Sequence, residues 1–170
     1  ITVKTLVEYG RYAHKKWWAG SDGDDKSIVE WAIERTGMTK LQNRKINALS
    51  GGERQRARIA MAIAQKPEIM LLDEPTTYLD IAHQLEIMEL VAALNREEGI
   101  TVVMVLHDMN HAARYSDELV LVNNSKIHTI GTPNELIENG ELENVFCVEA
   151  EILSDTEDNS PIFYAKRKKQ

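Results

Sequence analysis

Two short apolar runs joined by a long helical segment constrain the fold of this chain more than any other feature. Residues 68–72 and 101–106 have the length of strands, and the second run is rich in β-branched side chains. Residues 80–98 between them show the helical period, with Gly99 as a stop. Two apolar strands linked by a helix pair in parallel in a buried sheet, so an α/β fold is predicted. The inward face of the helix is expected to carry Ile81, Leu85, Met88 and Ala92.

The first third of the chain is predicted to be helical. Residues 1–20 and 24–37 carry apolar residues at helical spacing, and no strand pattern precedes residue 68. The inward positions of the second helix are expected at Ile28, Trp31, Ala32 and Ile33. Beyond the second strand the pattern predicts a helix at 108–115, a hairpin of 118–122 with 126–130, a helix opened by "TPNEL", and a last strand at "IFYA".

Composition excludes several classes of protein. Acidic residues outnumber basic residues by 27 to 20, which gives a net charge of −7 and argues against a nucleic-acid partner. The single cysteine, Cys147, has no second cysteine to pair with, so no disulfide framework is expected. No apolar run approaches the ~20 residues that cross a bilayer. The chain begins with Ile1 rather than Met, and we expect it to be a piece of a longer protein.

The stretch "LSGGERQRARIAMAIAQ" has the features of a loop that holds an anion at the start of a helix. Ser50 stands at the N-cap position, and Glu53 follows three residues later, as in a capping box. Gly51 and Gly52 let the backbone approach a ligand closely. The free N–H groups and the positive end of the helix dipole would then face an anion such as a phosphate. The alternative is an ordinary capped helix without a ligand.

Polar residues also follow each of the two predicted strands. Asp73 and Glu74 end the run "IMLLDE", where an aspartate suits Mg²⁺ and a neighbouring carboxylate can deprotonate water. The alternative is a solvated acidic loop. His107 ends the next strand, where its imidazole can hydrogen-bond a terminal phosphate. For a lone histidine the alternative is a structural role.

The order of these motifs resembles the ATP-binding subunit of an ABC transporter, a P-loop NTPase. "LSGGERQR" is similar to the signature loop of that family, "IMLLDE" to its Walker B strand, and "TTYLD" to its D-loop. The resemblance implies that Asp73 holds magnesium, that Glu74 is the general base and that His107 is the switch histidine. It implies nucleotide contacts for Ser50, Gly51, Gly52, Glu53, Gln55 and Asp80.

The same resemblance implies a division of the chain and a missing part. Residues 1–66 would form a helical subdomain that ends in the signature-loop helix, 67–131 half of a RecA-like core, and 132–170 C-terminal helices and a strand. The Walker A loop, the adenine-stacking aromatic residue and the Q-loop of the family are not in these 170 residues. The chain alone is therefore expected to bind ATP weakly and to be inactive. It is also expected to expose apolar surface and a strand edge, which it would cover by self-association or by rearrangement.

A narrower resemblance points to the importers of iron–siderophore complexes, haem and cobalamin. It rests on "TVKTLVEYGRYAH", "DEPTTYLDIAHQ" and "HDMNHAARYSDELVLV", which include His83 and Gln84. Ala13 departs from the subgroup, which often has proline there. The resemblance implies the ATPase of iron–siderophore import. The alternatives are another importer, a non-transport ABC ATPase of DNA repair or translation, and a truncated module that offers its signature loop to a partner without catalysis.

The resemblance finally implies cofactors and partners. ATP and Mg²⁺ would be bound between two ATPase subunits packed head to tail, so that each signature loop acts on the nucleotide of the other subunit. The helical subdomain would contact a membrane permease at the cytoplasmic face of the membrane, with an indirect link to a substrate-binding protein. The segment "RYAHKKWW" at 11–18 is the candidate contact surface. The alternative is that Trp17 and Trp18 pack inside the helical subdomain.

Overall fold

The structure is a computed structural model that describes residues 1–12, 23–155 and 161–169. The chain divides into two compact units, Ile1–Val105 and Leu106–Gln170. This boundary follows the second strand, whereas the division predicted from the sequence places boundaries after residues 66 and 131. The predicted division concerns subdomains of a complete ATPase domain and stays a prediction. Each unit is described separately.

In its described residues, 1–12 and 23–105, the first unit combines four α-helices with a pair of parallel strands. Its elements are α1 (Val3–Tyr9), α2 (Gly23–Arg35), α3 (Gly51–Ile63), β1 (Ile69–Asp73), α4 (Ile81–Glu98) and β2 (Thr101–Val105), with 3₁₀ turns at Thr39–Leu41 and Ile46–Ala48. One core joins these elements; among its buried members are Val7, Ile33, Met38, Ile59, Ile63, Met70, Ile87 and Leu94. The helical first third predicted from the sequence is confirmed for the described residues, with one isolated bridge between Thr2 and Lys45.

The end of α1 is held against α2 and α3 by a buried arginine. Arg11 is 8% exposed; its Nε donates to Asp25 Oδ1 at 2.8 Å and its Nη1 to the Ala64 carbonyl oxygen at 2.9 Å. Arg11 was expected to belong to a permease contact surface, and for this residue the expectation is wrong because its guanidinium is used inside the helical layer. Tyr12 is 62% exposed. The rest of that segment, including His14, Trp17 and Trp18, lies outside the described residues.

In α2 the buried face is shifted slightly from the predicted one. Val29, Ala32 and Ile33 are buried, whereas Ile28 and Trp31 are half-buried. The Trp31 ring lies under the Lys66 ammonium, with 3.1 Å between Nζ and the ring centroid. The indole of Trp31 thus packs at the border of the core, where it contacts a cation and is not fully buried.

The two predicted strands pair in parallel, and only one face of the pair is buried. Leu71 lies opposite Val103, and Asp73 lies opposite Val105. Met70 and the half-buried Leu72 face the helices, and alternate residues face away because side chains on a strand alternate between faces. Four apolar residues on the outer face are more than half exposed, namely Ile69, Leu71, Val103 and Val105. The predicted parallel pairing and the predicted exposure of apolar surface are confirmed. The prediction of a buried sheet is correct for one face only.

Helix α4 begins and ends as predicted, but of the four predicted inward positions only Met88 is fully buried. Asp80 is the N-cap and Gly99, with φ of 68°, is the C-cap. The predicted positions Ile81 and Leu85 are 76% and 38% exposed, and Ala92 is half-buried. The buried residues are Ile87, Met88, Val91 and Leu94. Both stripes have the helical period, and packing against α3 and β2 selects between them.

The part of the second unit that the structure describes is built from three short helices and two pairs of antiparallel strands. Its elements are α5 (Met109–Tyr115), β3 (Leu119–Asn123), β4 (Lys126–Gly131), α6 (Pro133–Glu138), α7 (Glu141–Phe146), β5 (Val148–Ser154) and β6 (Pro161–Lys168). Ala113, Leu121, Leu136, Ile137, Leu142 and Phe163 form its core. The predicted helix at 108–115, the first hairpin, the helix after Thr132 and the last strand are confirmed; α7 and β5 were missed.

Candidate functional site

The start of α3 is a capping box, as the sequence predicts. The Ser50 Oγ accepts the Glu53 backbone N–H at 3.2 Å, and the Glu53 Oε2 accepts the Ser50 backbone N–H at 2.7 Å. The hydrogen bond from the Ser50 backbone holds the pKa of the Glu53 carboxyl below its usual value. Ser50 and Gly51 are exposed. The positive end of α3 is therefore open to an anion without loss of its cap.

The two glycines of this loop differ in their surroundings. A methyl group at Gly51 would lie 3.1 Å from Leu79 Cδ2, the end of a flexible side chain. Gly52 is buried, and a methyl group there would collide with the ring of His83. Gly51 thus fits the predicted role of bringing backbone close to a ligand. At Gly52 the structure gives a second reason for glycine, because the His83 ring of α4 occupies the space that a side chain would need.

The acidic pair after β1 has an unusual backbone. Asp73 is exposed at the end of the strand, and Glu74 follows with φ of 46°, in the left-handed region that non-glycine residues rarely adopt. The Glu74 N–H donates to the Val105 carbonyl oxygen at 3.2 Å, and the Thr77 hydroxyl donates to Glu74 Oε2 at 2.8 Å. Strained backbone that the surroundings hold in place is concentrated at functional positions. Thr77 was not among the predicted site residues, although it lies inside the D-loop motif "TTYLD".

The residues at this strand end suit magnesium only together with a nucleotide. Among the residues that the structure describes, no group of three or more His, Cys, Asp or Glu side chains lies close enough to hold a metal ion. Mg²⁺ keeps several waters and is commonly bound by one or two carboxylates plus substrate phosphates. Asp73 fits that mode, in which phosphate and water supply the remaining oxygen ligands.

The segment before α4 carries the predicted D-loop. Asp80 Oδ1 accepts the backbone N–H of His83 at 2.9 Å and the His83 Nδ1–H at 2.7 Å. These bonds, the backbone one first, hold the pKa of the Asp80 carboxyl below its usual value. Gln84 Nε2 donates to the Leu79 carbonyl oxygen at 3.0 Å. Tyr78 is fully exposed with φ of 63°, so this loop also carries a strained residue at its tip.

The structure brings the predicted residues into local groups. The signature loop touches the segment 79–83 through Gly51 and Gly52. Gln55 is half-buried on α3, and its Oε1 accepts a hydrogen bond from Arg58 Nη1 at 3.4 Å. His107 belongs to the second unit, where it is exposed and precedes Asp108, the N-cap of α5.

Acidification is expected to weaken the cap of α3. Because the folded-state pKa of Glu53 lies below the ordinary 4.5, its contribution is full at neutral pH and is lost as the pH falls through the folded-state value. The urea midpoint of the chain should fall between about pH 5 and pH 3, and Glu53→Gln should make that fall shallower. Glu89→Gln, at an exposed position of α4, is the matched control and should keep the wild-type slope. Equal slopes for all three proteins would contradict a capping role for the Glu53 carboxylate.

No helix in the described part of the chain has the length and apolar character needed to cross a membrane.

Comparison with known proteins shows what this chain is similar to. The ABC transporter family model matches residues 2–77. The iron(3+)-hydroxamate import ATP-binding protein FhuC of Bacillus subtilis is 48% identical over 162 residues, which are 95% of this chain and 60% of that protein. The ferric enterobactin transport ATP-binding protein FepC of Escherichia coli is 43% identical, with the same shares covered. The chain thus spans about 60% of the length of these curated relatives.

Solved structures agree with the sequence relatives. A metal-chelate type ABC transporter in an inward-facing conformation is 27% identical with a TM-score of 0.87, covering 98% of this chain and 66% of that one. A dimeric ABC transporter cassette in a post-hydrolysis state, bound to ADP and Pi, is 32% identical with a TM-score of 0.64, covering 78% and 57%. The predicted α/β fold of an ABC ATPase domain is confirmed. The chain belongs to the ABC transporter ATPase family.

Proposed function

We propose that the protein containing this chain is the ATP-hydrolysing subunit of an ABC importer for iron–siderophore complexes. The observation that carries the ATPase part is the geometry after β1, where Glu74 is held in a strained backbone conformation by β2 and by the Thr77 hydroxyl, directly beside Asp73. A carboxylate fixed in this way beside a magnesium ligand is suited to accept a proton from an attacking water.

Each remaining residue has a role that its local structure supports. ATP supplies the phosphoanhydride bond that is cleaved, and Asp73 would hold the Mg²⁺ that accompanies it. The Ser50 hydroxyl, the backbone of Gly51 and Gly52, and the positive end of α3 bind the terminal phosphate of a nucleotide. Glu53 keeps this helix start in place through the capping box. We assign the half-buried Gln55 and the N-cap Asp80 to nucleotide contacts, and the exposed His107 to a hydrogen bond with the terminal phosphate.

The signature loop acts on the nucleotide of a second subunit. Solved relatives include dimeric cassettes, one of them bound to ADP and Pi. Exposed apolar side chains flank Asp80, with Tyr78 fully exposed and Ile81 76% exposed, and a partner subunit would cover them. The helical part contacts a membrane permease, which places the subunit at the cytoplasmic face of the membrane and links it indirectly to a substrate-binding protein. Nucleic acid is not a partner, in keeping with the net charge of −7.

Import of iron–siderophore complexes is favoured over import of cobalamin. The relatives named for iron–siderophore compounds cover 95% of the chain at up to 48% identity. A cobalamin import ATP-binding protein of Halobacterium salinarum is 42% identical over 81% of the chain. All of these relatives are import or transport ATP-binding proteins by name, so a non-transport ABC ATPase and a non-catalytic module have less support.

Uptake by cells that lack the subunit tests the substrate class. Radioactive iron bound to hydroxamate or catecholate siderophores is expected to enter only after the complete gene is returned, whereas cobalamin uptake is unchanged by its loss. Uptake of cobalamin that depends on the gene, without any effect on iron, would contradict the proposal.

Binding of ATP by the 170-residue chain is a separate measurement, and an affinity several orders of magnitude below that of the complete subunit is expected, since each missing phosphate contact is worth about 1.5–3 kcal/mol.

A further inference from the structure

The starts of α3 and α4 lie side by side, and the contacts between the two segments include the following pairs. Gly51 faces Leu79, Gly52 faces His83, and farther along the helices Arg56 Nη1 forms an ion pair with Glu86 Oε2 at 2.8 Å. The two N-caps, Ser50 and Asp80, therefore belong to neighbouring helix starts. Of these pairs, Gly52 and His83 make the tightest approach, because a methyl group at Gly52 would lie within 3.1 Å of three His83 side-chain atoms.

His83 joins the two caps through its ring and its backbone. Its Nδ1–H and its backbone N–H both donate to the same oxygen of Asp80, at 2.7 Å and 2.9 Å. The other side of the imidazole lies against Gly52, where a methyl group would be 2.9 Å from His83 Cγ and 3.1 Å from its Cβ, and closer still to Cδ2. The side chain is only 33% exposed although it is polar and near the end of a helix. The ring therefore fills the space between the Asp80 cap and the first turn of α3.

We infer that His83 is a positioning residue that fixes the signature loop to the D-loop, and that Gly52 lacks a side chain because the His83 ring occupies its place. The catalytic part of this inference rests on the proposed function, because the signature loop must meet a phosphate in one orientation. Small misplacements of groups that bind a reacting phosphate cost large factors in rate. Loss of His83 should thus lower kcat and leave the affinity for ATP nearly unchanged.

The competing explanation is that Gly52 is needed only because a nucleotide approaches its backbone. A double-mutant cycle in the complete subunit separates the two explanations. Gly52→Ala alone should lower the urea midpoint, because the new methyl group collides with His83. In the presence of His83→Ala the same substitution should cost much less, because the ring atoms are gone and only the 3.1 Å approach to the Cβ of residue 83 remains. Gly51→Ala, whose neighbour is the flexible end of Leu79, is the matched control, and its effect should not depend on His83.

Two further variants test the hydrogen bond to Asp80. His83→Asn places an amide near the position of Nδ1 and keeps a donor for Asp80, whereas His83→Phe keeps a ring without the donor. His83→Ala and His83→Phe should lower kcat for ATP about tenfold. His83→Asn should recover most of that loss. The affinity for ATP, measured by titration, should stay within about twofold of wild type in all three.

The outcomes distinguish this inference from the proposed function. Additive effects of Gly52→Ala and His83→Ala on the urea midpoint would overturn the steric part, and that measurement needs no ATP. Equal kcat for wild type, His83→Phe and His83→Ala would overturn the positioning part. A wild-type subunit without ATPase activity would overturn the proposed function, while the cycle on stability would still decide whether His83 occupies the place of a Gly52 side chain.

Discussion

Replacing Glu74 with glutamine in the complete subunit is expected to lower the turnover of ATP by about 10²–10⁴-fold, the contribution of a positioned general base. The amide of glutamine has nearly the shape of the carboxylate and can still accept the hydrogen bond from Thr77. It cannot accept a proton from water at neutral pH. ATP binding should be retained, because the substitution removes no group that contacts the nucleotide directly. Turnover is measured by phosphate release and binding by nucleotide titration.

The matched control for this variant is Glu89→Gln. Glu89 is exposed on α4 and forms none of the contacts of the candidate site, so turnover should stay at the wild-type level. If Glu74→Gln kept turnover within about tenfold of wild type, Glu74 would not be the general base. Loss of ATP binding together with turnover would show that the substitution acts on the nucleotide pocket or on folding instead.

Mixing two inactive variants is expected to restore activity if the signature loop acts across a dimer. Ser50→Asp keeps a good N-cap for α3 but places a negative charge where a phosphate should bind, so turnover should fall by about 10²–10³-fold. In a mixed dimer with Glu74→Gln, one of the two sites combines an unchanged Glu74 with an unchanged Ser50. Half of the dimers in an equal mixture are mixed, so phosphate release should recover to about one quarter of the wild-type value.

The double variant Ser50→Asp/Glu74→Gln provides the control for the mixing experiment. In an equal mixture with wild type, every mixed dimer has two damaged sites if the loop acts on the partner's nucleotide. Activity should then be about one quarter of that of wild-type subunit at the same total protein concentration as the mixture. If each loop acted within its own subunit, this mixture would keep about one half of the activity and the mixture of single variants would stay inactive.

Local rules of sequence predicted the parts of the site that depend on neighbours in the chain. The capping box of Ser50 and Glu53 follows from residues three apart, and the cap of α4 by Asp80 follows the same rule. The parallel pairing of β1 and β2 followed from their apolar character and the helix between them. In each case the physical cause lies within one continuous stretch of the chain.

The features that could not be predicted depend on contacts between distant segments. The buried stripe of α4 is one example, because Ile81 and Ile87 belong to faces with equally good periodicity. The burial of Arg11 depends on Asp25 and the carbonyl group of Ala64. The left-handed backbone of Glu74 depends on β2 and Thr77, since nothing in the sequence identifies a positive φ at a glutamate.

The bare apolar face of the β1–β2 pair has a consequence for the fate of this segment inside a cell. Leu71, at 76% exposure, and Val103, at 54%, present contiguous hydrocarbon next to backbone groups at a strand edge. Chaperones and quality-control proteases recognise such surface on unfinished chains. A ribosome product limited to these 170 residues would therefore be held by chaperones or degraded, so its abundance would be set by proteostasis more than by synthesis.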